Sequence, residues 1–256
     1  MKKVSVALIV GIVLSVIGVI MMAATAVFAY NEYKNYNKFT EDTLTLSGDV
    51  DYKFEFSAGT VNFHTTTEDS YITYKIVNLY EITCDDGKVV LKNKNKFLFG
   101  FLGNKNVLDV YLNEEIADNY VEIKLNAGKI NVEEELSFAK LDIKLNAGTI
   151  TINKLAVAGE LDIKLNAGEL HLKDVSADKI TTSINAGTAN LDAEFNSINF
   201  TVNAGSFNLT AAGSKADYTI KVSKSAGSSN AENGGSGAKI IEGHINAGSF
   251  KLSYKG

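Results

Sequence analysis

Through most of the chain apolar and polar residues alternate one by one in short runs, and the runs are separated by a recurring three-residue punctuation. Glu122-Ile-Lys-Leu-Asn-Ala-Gly128 returns as Asp142-Ile-Lys-Leu-Asn-Ala-Gly148 and again as Asp162-Ile-Lys-Leu-Asn-Ala-Gly168. Asn-Ala-Gly recurs at Gly187, Gly205 and Gly248, and Ser-Ala-Gly at Gly59 and Gly227. From Gly128 onward the spacings are 20, 20, 19, 18, 22 and 21 residues. Strict alternation marks half-buried strands, and a fixed period of this length marks a stacked array. The pattern predicts an all-β protein, a β-solenoid-like stack of about 20-residue repeats.

Within one unit Leu141, Ile143 and Leu145 point one way and Asp142 and Lys144 the other. Ala147 is small enough for a tight corner, and Gly148 is free to take the positive φ that a corner requires. Superposing the units lines up Leu125, Leu145, Leu165, Ile184 and Val202 in one inward column, and Ile130, Ile150, Leu170, Ala189 and Phe207 in another. A single unit cannot bury its face; stacked units share one core. Asn126, Asn146, Asn166, Asn185, Asn203 and Asn246 fall at the same corner each time. They are read as a structural ladder of side-chain amides. The competing reading, a row of calcium-binding carbonyls, lacks the carboxylates that calcium prefers. On the outer side Glu122, Asp142 and Asp162 run beside Lys124, Lys144 and Lys164, a self-neutralising, solvated face.

Before the regular repeats, Tyr52, Phe54 and Phe56 alternate up to the corner at Gly59, and Val61 and Phe63 continue beyond it. Strands are also expected near Tyr71–Val77, Tyr80–Cys84, Val89–Leu91 and Leu108–Leu112, with Asp85-Asp86-Gly87 as a turn. The 69 residues between Gly59 and Gly128 have room for about three degenerate units at the period of the array. Near the end, Lys224 stands where an apolar residue is expected, and the Gly/Ser/Asn composition of Ser228 to Gly237 reads as a flexible loop. One run departs from strand patterning: Phe97, Leu98, Phe99, Phe101 and Leu102, flanked by Lys92, Lys94, Lys96 and Lys105. Either it caps an open end of the stack or it is a contact for a membrane or a partner.

Lys2 and Lys3 are followed by an uncharged stretch from Val4 to Ala29. At about 1.5 Å per residue it is long enough to cross a bilayer, and longer than a usual removable signal. The lysines keep the N-terminus on the cytoplasmic side, and Tyr30, Tyr33 and Tyr36 suit the opposite interface. The expected organisation is a transmembrane signal-anchor helix over 1–30, a connector over 31–42 and the repeat domain over 43–256. The expected location is the cell membrane, single-pass, with the C-terminal domain extracytoplasmic.

Composition narrows the function. The 256-residue chain has a net charge of −5 and no arginine, so the basic footprint of a nucleic-acid binder is missing. Proline is absent, which suits unbroken ladders. Cys84 is the single cysteine, read as a small apolar filler. His64, His171 and His244 lie in different units, and no local nucleophile–base motif accompanies them. Asp85 and Asp86 are read as loop-shaping. No catalytic residue, cofactor or metal site is assigned.

The Ala-Gly corners at Gly59, Gly128, Gly148, Gly168, Gly187, Gly205 and Gly248, the strand Val107–Leu112 leading into Val121–Gly128, and the single N-terminal span together resemble the bacterial putative-adhesin family, also called the toastrack domain. The resemblance covers about residues 40–256. The family often has a proline where Asn113 stands. It implies a non-enzymatic surface role, often linked to envelope-stress systems, and brings no catalytic residues. The expected function is a membrane-anchored extracytoplasmic interaction module, an adhesin or surface scaffold, with cell-wall glycan or an envelope-stress membrane protein as partner. A regulatory component of an envelope-stress assembly is the alternative, and a polysaccharide-active enzyme the remote one.

Overall fold

The computed structural model describes residues 15, 17–27, 30, 34, 38–46, 50–94, 105–114 and 119–256. Residues 17–27 are helical, and the rest of the described chain is dominated by one sheet of 18 strands. The early strands are β1 (Phe39–Thr45), β2 (Tyr52–Phe56), β3 (Thr60–Thr66), β4 (Tyr71–Val77), β5 (Tyr80–Asp85), β6 (Lys88–Asn93) and β7 (Val107–Asn113). The regular repeats begin with β8 (Tyr120–Leu125), β9 (Lys129–Phe138) and β10 (Lys140–Leu145). Three long ribbons follow, β11 (Thr149–Leu165), β12 (Glu169–Ile184) and β13 (Thr188–Val202). The last strands are β14 (Ser206–Ala212), β15 (Tyr218–Lys224), β16 (Ser228–Ser229), β17 (Lys239–Ile245) and β18 (Ser249–Lys255).

Each coil runs up to an Asn-Ala-Gly corner, leaves it on a second side, bends, and returns. On the side before the corner Leu125, Leu145, Leu165, Ile184, Val202 and Ile245 are in parallel register. On the side after it Val61, Ile130, Ile150, Leu170, Ala189, Phe207 and Phe250 are. All are essentially water-free, so alternation along the strand becomes a dry column across strands. A fully buried Leu or Ile contributes roughly 1.5–3 kcal/mol, which a lone repeat cannot collect.

The stacking order departs from chain order at both ends. On the side before the corner the spatial sequence is β5, β6, β2, β8, β10, β11, β12, β13, β17, β15. The final coil (β17 and β18) therefore lies between β13/β14 and the earlier coil (β15 and β16). The two coils differ in apolar content. Ile241, Ile245, Phe250 and Leu252 are buried, whereas β15 offers Tyr218 and Ile220, then a half-buried Val222 and an exposed Lys224. The coil with the intact pattern takes the interior, and the weaker one takes the end, where only one face needs cover.

The Gly/Ser/Asn stretch after β16 does not hang free as its composition suggested. Gly234 and Ile220 exchange both backbone hydrogen bonds, at 2.8 and 3.0 Å. Asn233 imitates a strand residue: its amide donates to the Val222 carbonyl at 2.9 Å, and its carbonyl accepts from the Val222 N–H at 2.7 Å. This stretch covers the outer edge of β15, one way to protect an exposed strand edge.

At the opposite end the described residues of the gap between Gly59 and Gly128 hold one further parallel coil, β6 and β7, rather than three. The remainder turns antiparallel, β5 on β6, β4 on β7 and β1 on β4. The run from Phe97 to Leu102 lies outside the described residues, as do residues 4–14, 16, 28 and 29 of the N-terminal stretch. Among the described residues no helix is long and apolar enough to cross a membrane.

Candidate functional site

The corner fixes where outward side chains project. At Gly128, Gly148, Gly168 and Gly187 φ lies between +104° and +112°. A β-carbon at Gly148 would sit 2.2 Å from the Gly128 carbonyl oxygen, one at Gly248 2.3 Å from that of Gly205, and one at Gly227 2.4 Å from that of Gly248. Backbone packs on backbone through the whole column. The column ends on Asn106, which is fully buried. Its side chain accepts from Val77 N–H at 2.9 Å and donates to the Ala58 carbonyl at 3.3 Å.

Beside the glycines the corner asparagines are joined in one chain of amides. Asn146 Nδ2 donates to Asn126 Oδ1 at 2.6 Å. Asn166, Asn185 and Asn203 each donate to the preceding asparagine at 2.7 Å. Asn246 donates to Asn203 at 2.5 Å, following the spatial order rather than the chain. Because the Asn246 amide N–H is committed there, its Oδ1 faces His244 Nε2 at 2.9 Å as an acceptor. Nε2 therefore donates to Asn246, and Nδ1 lies 2.8 Å from the Ser223 hydroxyl, which also donates to the Gly243 carbonyl at 3.3 Å.

The outward rows next to this ladder change character along the stack. In the earlier coils they are charged and paired across strands: Lys53 and Lys144 both reach Glu122 at 2.7 Å, and Lys124 reaches Glu55 at 2.5 Å. Glu122 is only 6% exposed. Burial raises its pKa, but the hydrogen bonds from Lys144 and Lys53 outweigh that and hold it below the ordinary carboxylate range. Burial, with the Asp142 carboxylate at 3.0 Å, pushes the Tyr120 phenol up. At the same register in later coils Thr181, Ser183, Asn199 and Thr201 replace the charges.

This end of the rows opens into a groove of about 710 Å³ over β13, β17 and β15. Asn199, Thr201, Lys221, Glu242 and His244 project from its floor, and Asn233 to Gly235 wall one side. Among the described residues the side chains of Asn199, Thr201, Lys221 and Glu242 have no hydrogen-bond or ion-pair partner. These four were not singled out from the sequence. For Asn199 and Thr201 the signal was nevertheless present, since aligning the repeats shows the Asp and Lys columns giving way to Thr, Ser and Asn; Lys221 and Glu242 carry no such signal.

The three histidines do not meet. His64 stacks on Tyr111 at 4.8 Å between Asp109 and Glu134, each 3.7 Å away. His171 contacts Glu169 at 3.4 Å and Asn190 at 3.1 Å, in another coil. Among the described residues no group of three or more His, Cys, Asp and Glu side chains is arranged to hold a metal ion. Cys84 is half-buried against the core, its thiol pKa raised first by burial and then by Asp85.

The profile of the toastrack family DUF4097 matches residues 53–256. The chain belongs to the toastrack family. Solved structures share this fold at low identity. A protein described as a "putative adhesin" from Parabacteroides distasonis aligns at 12% identity over 84% of this chain and 97% of its own, with a TM-score of 0.50. Another so described, from Parabacteroides merdae, aligns at 12% identity over 84% and 96%, also at 0.50. A third, from Parabacteroides distasonis and described as a "putative lipid binding protein", aligns at 11% identity over 84% and 97%, again at 0.50. At such identities the likeness of this toastrack domain to them is one of fold. No curated protein matches the chain.

Proposed function

We propose that this toastrack protein is a membrane-anchored, extracytoplasmic and non-enzymatic interaction module, an adhesin or surface scaffold that presents the outer faces of a rigid stack. The observation that carries the reading is at the N-terminus. Ile20, Met21, Met22 and Val27, on the helix over 17–27, are each more than 60% exposed, although no charge occurs between Val4 and Ala29. Uncharged apolar side chains left uncovered on a helix call for a non-aqueous surround. Lys2 and Lys3 favour keeping the short end inside, so the stack falls outside. The non-enzymatic part of the reading draws support from the separation of the histidines and the pairing of the Glu55 and Glu122 carboxylates with lysines.

Protease added to intact cells tests this directly. A tag at the C-terminus is expected to be lost while a cytoplasmic control survives, and deleting residues 1–30 is expected to move the protein out of the membrane fraction. A tag that stays protected until lysis, or a deletion variant still in the membrane fraction, contradicts the reading.

A further inference from the structure

We propose that the groove over β13, β17 and β15 is a binding site for an uncharged, hydroxyl-rich oligosaccharide. The proposal deepens the interaction-module reading and rests on it only for the compartment in which such a ligand is met. Three observations carry it. First, the groove gathers polar side chains whose capacity is not spent inside the protein: Asn199, Thr201, Lys221 and Glu242 lack partners among the described residues. The equivalent rows of the earlier coils are instead closed into ion pairs around Glu122 and Glu55. Lys221 and Glu242 are register neighbours on adjacent strands and still do not bridge.

Second, the groove is pre-organised. Its floor is strand, and its wall is tied down by the two hydrogen bonds between Asn233 and the Val222 backbone. The His244 ring is held in place between Ser223 and Asn246. A site built on strands and braced from behind loses little freedom when a ligand arrives. Its volume of about 710 Å³ is within the usual ligand range of roughly 300–1,000 Å³.

Third, the lining chemistry rejects the other ligand classes. An anionic ligand or nucleic acid needs several cations, and the single Lys221 is offset by Glu242. A lipid chain needs exposed apolar walls; of the apolar residues lining the groove Phe200 and Ile220 are buried beneath its floor and Val222 is half-buried, whereas the projecting side chains are amide, hydroxyl, imidazole, ammonium and carboxylate. An added peptide strand needs a free edge, and the edge of β15 is occupied by Gly234. A sugar hydroxyl both donates and accepts, so it matches alternating Asn, Thr, Lys and Glu.

The test applies full-length protein in detergent to an array of neutral oligosaccharides built from hexose, N-acetylhexosamine and deoxyhexose units, with sulfated and uronic-acid oligosaccharides alongside. Retention on at least one neutral glycan is expected. Thr201→Val and Glu242→Gln should each weaken it at least tenfold with an unchanged melting temperature, because both side chains are free of internal bonds. Asp162→Asn, on the charged part of the same side, should leave it unchanged. Retention only on anionic glycans, no retention on the array, or binding indifferent to Thr201 and Glu242 overturns the proposal. The array needs neither anchorage nor orientation, so its failure is distinct from a failure of the protease experiment.

Discussion

At Gly148 the backbone holds φ at +106°, and an added β-carbon would lie 2.2 Å from a neighbouring carbonyl oxygen. Gly148→Ala is therefore expected to cost at least about 2 kcal/mol in denaturant unfolding, from backbone strain and from the contact together. Asn146→Leu breaks two amide bonds of the corner ladder and leaves Asn126 and Asn166 each short of one partner. Water reaches this half-exposed corner, so the expected loss is about 1 kcal/mol, seen as a lower melting temperature; an unchanged melting curve would show that the ladder contributes nothing. Glu122 gives the stack an acid limit. Its folded pKa is depressed below the ordinary 4.5, so its stabilising effect is complete above that value and is lost as pH falls through the folded one. Between pH 5 and 3 the unfolding midpoint of Glu122→Gln should fall less than that of the unaltered chain. Parallel curves would show that the carboxylate is not linked to folding.

The element scale shows what alternation encodes. Period-2 patterning identifies the inward residues of β8 to β14, and the repeated corner fixes their register, because each Ala-Gly corner packs glycine backbone on glycine backbone. It does not say which coil lies beside which. Gly227 and Gly248 carry equivalent corners, and the choice between them is made by burial across the stack, through Lys224 against Ile245. The early coils were obscure for a related reason. Their antiparallel partners β1, β4 and β5 repeat no motif, and Asn106 ends the glycine column without resembling a corner. The groove was hidden because it is assembled from β13, β17 and β15, which only the interleaved order brings together. Asn233→Ala removes the side chain that ties the stretch after β16 to β15. Amide exchange at Val222 and Ile220 is expected to speed up while the β10 to β12 amides stay protected. Uniform protection in that variant would mean that the edge needs no cover.

For the molecule as a whole, a wound stack has a consequence that globular sheets lack. Each outward row is a straight line of equivalent positions about 4.8 Å apart, so a change of residue type along the row becomes a change of surface function along the axis. Paired charges occupy one part of it, and side chains without internal partners the other. That division depends on the final coil being inserted inside the end of the stack. Ser249 Oγ donates to Ser206 Oγ at 2.9 Å in this arrangement, whereas simple sequential winding would place Ser228 beside Ser206. Adjacent strands bring Cα atoms within disulfide range, so paired cysteines distinguish the two orders. In a Cys84→Ala background, Ser206→Cys with Ser249→Cys should form an intrachain disulfide under mild oxidation, and Ser206→Cys with Ser228→Cys should not. The reverse result would contradict the interleaved stack, and with it the groove.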